Sequence, residues 1–221
     1  MNDYMVKTTG IHKSYGSLPV LKGIDMQVKR GEVVSIVGAS GAGKSTLLHI
    51  IGTLDSPDRG SVMINQEDIF TKSSSSLAAF RNKAIGFVFQ FHNLLPEFSA
   101  LENVMVPGLI GKRNPDEVKQ RAKQLMTMLK IDHRIDHKPS ELSGGEQQRA
   151  AVARALINSP ALILADEPSG NLDSKNAREL HQLFFDLRKE LNQTFIIVTH
   201  NQEFAAMADR KVEIVDGLIA G

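Results

Sequence analysis

The sequence predicts an α/β fold: a mostly parallel sheet core interrupted by a helical lobe near residues 91–158. Two observations carry this reading. Short continuous apolar runs (Glu32–Val37, Ile85–Phe89, Ala161–Ala165 and Thr194–Thr199) have the length and character of strands buried on both faces. Helix-period stretches separate most of them, as crossovers between parallel strands require. The chain of 221 residues suits one compact domain, or one domain with a sizeable lobe inserted. Its 42% hydrophobic and 23% charged residues exclude a disordered tail, a collagen-like repeat and a chain embedded in lipid.

Each element has its own justification. Val20–Val28 alternates roughly apolar and polar, predicting a half-exposed antiparallel strand. Glu32–Val37 runs directly into a Gly-rich loop and a helical stretch, Lys44–Gly52. Ser61–Ile64 and Ile85–Phe89 are further strands. Between them, the serine run Ser73–Ser76 reads as a loop whose last serine caps a helix near Leu77–Asn82. Pro115–Lys130 spaces Val118, Ala122, Leu125 and Leu129 as one helix face, with Asn114 as cap and Pro115 at the first helical position. A helix over Gly145–Asn158 follows. Alternation then resumes with strand Ala161–Ala165, helix Asn176–Leu191, strand Thr194–Thr199 and helix Gln202–Ala208. Lys211–Val215 turns at Asp216-Gly217 into Leu218–Ala220 as a closing strand pair.

Charge and composition remove several functions. Lys plus Arg number 26 and Asp plus Glu 25, so no bulk field favours nucleic acid or an anionic membrane. The Arg81-Asn82-Lys83 and Lys112-Arg113 clusters read as solvated surface. With no cysteine, disulfides, thiolate catalysis and Cys-ligated zinc are absent. Met1-Asn2-Asp3-Tyr4 gives no sign of a secretory signal, and no apolar run approaches the ~20 residues of a membrane span. Work at a membrane would therefore need a partner rather than direct lipid insertion.

The chemistry begins at Gly38-Ala39-Ser40-Gly41-Ala42-Gly43-Lys44-Ser45-Thr46, which fits G-x-x-x-x-G-K-[ST] and follows an apolar strand. Gly38, Gly41 and Gly43 let the backbone curl so that N–H groups, those of Ser40 and Ala42 included, point at phosphate oxygens; the helix opening at Lys44 and Thr46 adds its positive end. Lys44 would reach the terminal phosphates, and Ser45 would place its hydroxyl on Mg²⁺. Leu162-Ile163-Leu164-Ala165-Asp166-Glu167 supplies the partner strand. Asp166 would hold Mg²⁺ through water, and Glu167 would polarise the attacking water.

Leu142-Ser143-Gly144-Gly145-Glu146-Gln147-Gln148-Arg149 narrows the class. Ser143, Gly144 and Gly145 at a helix start make a second anion-binding end, surplus in a chain that already has one. A head-to-tail dimer uses it, each subunit closing over the nucleotide of its partner.

On these motifs and their order the chain resembles the ATP-binding subunits of ABC transporters along essentially its whole length. The resemblance implies a P-loop NTPase core with an N-terminal antiparallel β subdomain: residues 1–90 and 159–221 as nucleotide-binding core, 91–158 as helical signature lobe, one domain in all. It implies that Tyr15 stacks on adenine, that Gln90 senses Mg²⁺ and the membrane partner, and that His200 contacts the γ-phosphate. Ser169-Gly170-Asn171-Leu172-Asp173 matches the loop through which two subunits touch each other's sites. Glu146 departs from the usual glutamine, which implies altered tuning. His133 and His137 have zinc-helix spacing, but the glutamate after the first histidine is missing and Lys138-Pro139 argues against a continuing helix.

The segment Phe91–Val104 places apolar residues around Pro96 in a loop, an expected docking surface for integral membrane subunits. It is most similar to the ATPases of bacterial lipoprotein-releasing complexes. Macrolide or peptide exporter and cell-division ATPases are the alternatives. The resemblance thus implies an ATP- and Mg²⁺-dependent ATPase, homodimeric around ATP, peripheral on the cytoplasmic face of the bacterial inner membrane.

Overall fold

The computed structural model describes residues 4–220. In chain order it contains β1 (Tyr4–Tyr15), β2 (Leu18–Lys29), β3 (Val33–Val37), α1 (Lys44–Ile51), β4 (Arg59–Ile64) and β5 (Glu67–Asp68). Next come α2 (Ser74–Ala84), β6 (Ile85–Phe89), α3 (Ala100–Ile110), α4 (Pro115–Met128) and α5 (Gly144–Leu156). The chain closes with β7 (Leu162–Asp166), α6 (Ser174–Leu191), β8 (Thr194–Val198), α7 (Gln202–Met207), β9 (Arg210–Val215) and β10 (Leu218–Ile219).

These strands form two sheets. The first is antiparallel and four-stranded, in the order β2-β1-β4-β5. The second is six-stranded, β10-β9-β3-β8-β7-β6, parallel except for the hairpin of β9 with β10. That hairpin turns at Asp216 and Gly217, both with positive φ (49° and 81°), as a two-residue turn between twisted strands requires. Every residue of β3 and β8 is buried, matching their unbroken apolar sequence.

Alternate strand residues enter opposite layers. Val33, Val88, Ile163, Ala165, Phe195 and Ile197 join an apolar cluster with α3, α4, α5 and α6. Val34, Ile36, Leu162, Leu164, Ile196 and Val198 join α1 and the antiparallel sheet in another. Helix α5 lies close on β6: a Cβ at Gly86 would sit 2.5 Å from the Ala155 carbonyl.

Four features differ from the sequence reading. β1 is a full strand that went unpredicted, because its apolar residues are interrupted by register shifts around Thr8–Ile11. The serine run is capped by its first serine, not its last: Ser73 accepts from the Ser76 N–H and α2 starts at Ser74. α5 starts one residue early, at Gly144, with Ser143 as cap. Residues 100–104 of the expected docking loop belong instead to α3, whose Leu101 and Val104 are buried in the core. The loop proper is 91–99.

Candidate functional site

The site is assembled where β3, β7 and β8 end level with one another. Ile36 and Asp166 both pair with Val198, so the phosphate loop and the acidic pair emerge at the same edge. This is the carboxyl end of a parallel sheet, where ligands of such folds bind. Two glycines of the loop are dictated by space as well as by φ. Gly38 has φ 145°, and a Cβ there would lie 2.2 Å from the Ile214 carbonyl oxygen. Gly43 has φ 103°, and its Cβ would lie 2.6 Å from the Leu21 side chain. Lys44 Nζ donates to the carbonyls of Gly38 (2.9 Å) and Ala39 (2.7 Å), bracing the loop. Ala42 is buried at the loop's inner side.

Across the opening, the Ser45 hydroxyl donates to Asp166 Oδ1 at 3.1 Å. Burial pushes the Asp166 carboxyl above its usual range, and the Ser45 hydrogen bond only partly offsets this. Two hard oxygen donors so placed suit Mg²⁺, and an ion there would favour the ionised form. Glu167 has a left-handed backbone (φ 47°), fixed by its N–H donating to Val198 O at 2.9 Å. Its Oε2 lies 2.8 Å from His200 Nδ1 and accepts the His200 backbone N–H at 3.2 Å. The two residues singled out for water activation and γ-phosphate contact are therefore paired.

Gln90, at the end of β6, exchanges hydrogen bonds with Asn171: Gln90 Nε2 donates to Asn171 Oδ1 (3.1 Å) and Asn171 Nδ2 to Gln90 O (3.2 Å). This ties Gln90 to the 169–173 loop, where a Cβ at Gly170 would lie 2.8 Å from Gln90 Nε2 and push that side chain aside. Asp173 ends that loop by accepting from the N–H groups of Lys175 and Asn176 as the cap of α6. Tyr15 stands half-exposed, its hydroxyl donating to Asp55 Oδ2 at 2.7 Å, with the Lys13 ammonium 5.3 Å from its ring centre. The Asp55 bond raises the pKa of Tyr15.

Ser143 and its glycines lie elsewhere. The Ser143 hydroxyl accepts the Glu146 N–H and donates to Glu146 Oε2, and none of its hydrogen bonds reaches the phosphate loop. Gly144 and Gly145 face Leu172 and Asn176. His133 lies on a short 3-10 turn, and His137 follows it before Pro139 opens another. They contact Glu146 and Arg134.

Sequence reasoning missed several participants. Asp55 holds both Tyr15 and Lys13, and His181 supports the 169–173 loop through a 2.9 Å contact with the Ser169 hydroxyl. His181 is buried and stacked on Phe204 at 3.7 Å. No local pattern marks these residues. Their partners lie 40 and 12 positions away.

A phosphate loop braced by its own lysine, an acidic pair at the adjoining strand end and a remote Ser-Gly-Gly helix start define a nucleotide hydrolase of the P-loop class. The chain belongs to the ABC transporter family, whose sequence profile, described as "ABC transporter", matches residues 21–170. It is an ABC-type ATPase. It is 63% identical over 215 residues to the lipoprotein-releasing system ATP-binding protein LolD of Cytophaga hutchinsonii, covering 97% of this chain and 98% of that one. Identity to the LolD of Bacteroides thetaiotaomicron is 60%, over 97% and 99% of the two chains. Among solved structures, a dimeric ATP-binding cassette in a post-hydrolysis state with ADP and Pi superposes with TM-score 0.90 at 40% identity, covering 98% of this chain and 97% of that one. Among the described residues, no helix is long and apolar enough to cross a membrane.

Proposed function

We propose that this chain is the ATP-hydrolysing subunit of a complex that releases lipoproteins from the bacterial inner membrane. The observation that carries this reading is 63% identity along nearly the whole length to a lipoprotein-releasing ATP-binding protein. The subunit works as a homodimer closed around ATP. The separation of Ser143–Gly145 from the phosphate loop within one chain supports this, as does the likeness to a dimeric cassette.

In this reading the backbone of Gly38–Gly43, Ser40 and Ala42 included, cradles the phosphates, and Lys44 trades its carbonyl partners for phosphate oxygens. Thr46 continues the helix start, and Tyr15 stacks on the base. Mg²⁺ held by Ser45 and Asp166, with Gln90 beside it, would neutralise charge on the β- and γ-phosphates. Glu167 orients and deprotonates the attacking water, and His200 holds Glu167 and meets the γ-phosphate. Ser143, Gly144 and Gly145 of the second copy cap that phosphate. Positioning and charge stabilisation make up nearly all of this catalysis.

The membrane subunits dock at residues 91–99 and the groove next to them. Phe91 is 69% exposed, Leu95 and Phe98 are partly exposed, and Arg154 holds the loop's base through the His92 and Asn93 carbonyls. A groove of about 410 Å³ lined by Leu54, Phe87, Phe89, Pro107 and Ile110 extends the apolar surface. We place the working complex on the cytoplasmic face of the inner membrane, with residues 91–158 moving as the signature lobe against the core. Purification from native membranes in mild detergent tests the assignment. Recovery of integral subunits carrying lipoprotein-binding periplasmic domains supports it. Exporter subunits or cell-wall hydrolases in their place would replace it with the exporter or cell-division reading.

A further inference from the structure

The signature helix α5 carries an acid where a phosphate is to be received. Glu146 stands three residues past Ser143, and its Oε2 accepts both the Ser143 N–H and the Ser143 hydroxyl at 2.8 Å. This reciprocal cap fixes the serine rotamer. It also leaves a full negative charge beside the hydroxyl that must turn toward an anion. The chain supplies a counter-charge from the turn after α4: Arg134 Nε donates to Glu146 Oε1 at 2.7 Å, with His133 Nε2 3.4 Å from the same oxygen. Arg134 is itself steadied by His137 at 3.2 Å.

We propose that Arg134 is a positioning residue for the ATPase reaction, neutralising Glu146 and holding its carboxylate so that Ser143 can donate to the γ-phosphate bound by the partner copy. This rests on the reading that Ser143 completes the partner's site. The Glu146 carboxylate has two oxygens with separate tasks. Oε1 is taken by the guanidinium; Oε2 keeps the serine in place. Burial alone would raise the Glu146 pKa, yet the Ser143 N–H, Arg134 and the Ser143 hydroxyl hold it down at about 2. With Arg134 drawing negative charge onto Oε1, Oε2 holds the serine hydroxyl less tightly, and the hydroxyl can redirect its hydrogen bond to a competing phosphate oxygen. Without Arg134 the carboxylate is more basic, holds the proton harder and repels the incoming triphosphate. The histidine pair that resembled a fragment of a metal site thus belongs to this charge cluster.

The test is a double-mutant cycle on ATP hydrolysis by the full chain in its membrane complex. Arg134→Met should raise KM for ATP roughly tenfold, the scale of one uncompensated charge near a phosphate at a protein surface, with a smaller fall in kcat. In the Glu146→Gln background, where there is no charge to neutralise, the same substitution should change KM less than about twofold. Arg134→Lys should recover much of the loss. Thermal melts of each variant report whether it is folded. An unchanged KM in Arg134→Met overturns the proposal. So does an equal penalty in both backgrounds, which would make Arg134 a structural brace only. Ser143→Ala separates the two levels. If it impairs hydrolysis while Arg134→Met does not, only the ion-pair proposal fails; if Ser143→Ala is without effect, the shared-site reading fails and the proposal falls with it.

Discussion

Asp166 is kept in a place that disfavours its charge. Its native pKa lies above that of the unfolded chain because burial outweighs the Ser45 hydrogen bond, so ionisation destabilises the ligand-free fold. By sign, this penalty is felt above the raised pKa and relieved as pH falls through it. Asp166→Asn should therefore raise the melting temperature of the nucleotide-free protein at neutral pH while removing Mg²⁺-dependent hydrolysis. A lowered melting temperature would contradict the assignment of strain. His181 gives the opposite case. Burial against the Phe204 ring depresses its pKa to about 4, so the stability it contributes is complete above the unfolded value near 6.5 and is lost as pH falls toward 4. That loss should reach up to about 3 kcal/mol and flatten in His181→Phe, as followed by denaturant melts between pH 7 and 4. At the Glu167–His200 pair, if Glu167 activates the water as proposed, Glu167→Gln should cut kcat by roughly a hundredfold or more with ATP binding retained, measured by single-turnover hydrolysis. Lys44, Ser45, Asp166 and Glu167 could be read from sequence because their partners are fixed by a short loop and one strand end. Asp55, His181 and Arg134 could not, because each meets its partner only after distant segments pack.

Helix α3 shows what a sequence pattern hides at the scale of an element. Its eleven residues are mostly apolar with Pro107 inside, so no polar face announces the period. One signal was present: Ser99 and Glu102 have the spacing of a reciprocal cap, and in the structure both arms of that cap form. Asn103 makes the helix a clamp for the 91–99 loop. It is fully buried, accepts the Leu95 N–H at 2.7 Å, and donates to the carbonyls of Leu95, Phe98 and Ser99. Asn103→Ala removes all four of these bonds, although the Leu95 and Ser99 carbonyls keep the backbone N–H groups of Phe98 and residue 103, and should cost about 2–3 kcal/mol. Faster amide exchange confined to residues 91–99 would distinguish loosening of the loop from global destabilisation. β1 was illegible for a different reason: its register shifts break the alternation by which half-buried strands are recognised. The parallel strands, buried on both faces, were legible within a residue or two because continuous apolar runs have few other uses.

At the scale of the whole molecule, one chain holds the phosphate loop and the signature corner on different helices with no hydrogen bond joining them. Hydrolysis-blocked Glu167→Gln protein with ATP and Mg²⁺ should therefore double its mass by light scattering. Adding Ser143→Ala should weaken that dimer without preventing nucleotide binding to the monomer. Persistence of monomers in the first variant would refute the shared site.

The sheet also divides the apolar interior into two masses. Helix α1, behind the phosphate loop, belongs to one; α3, α4 and α5 belong to the other, and their side chains meet the strands from opposite sides. In the proposed cycle, a tilt of α3, α4 and α5 would load the packing on their own face of the sheet first. The sheet would then serve as a bulkhead, letting one compartment yield while the one behind the phosphate loop keeps its shape.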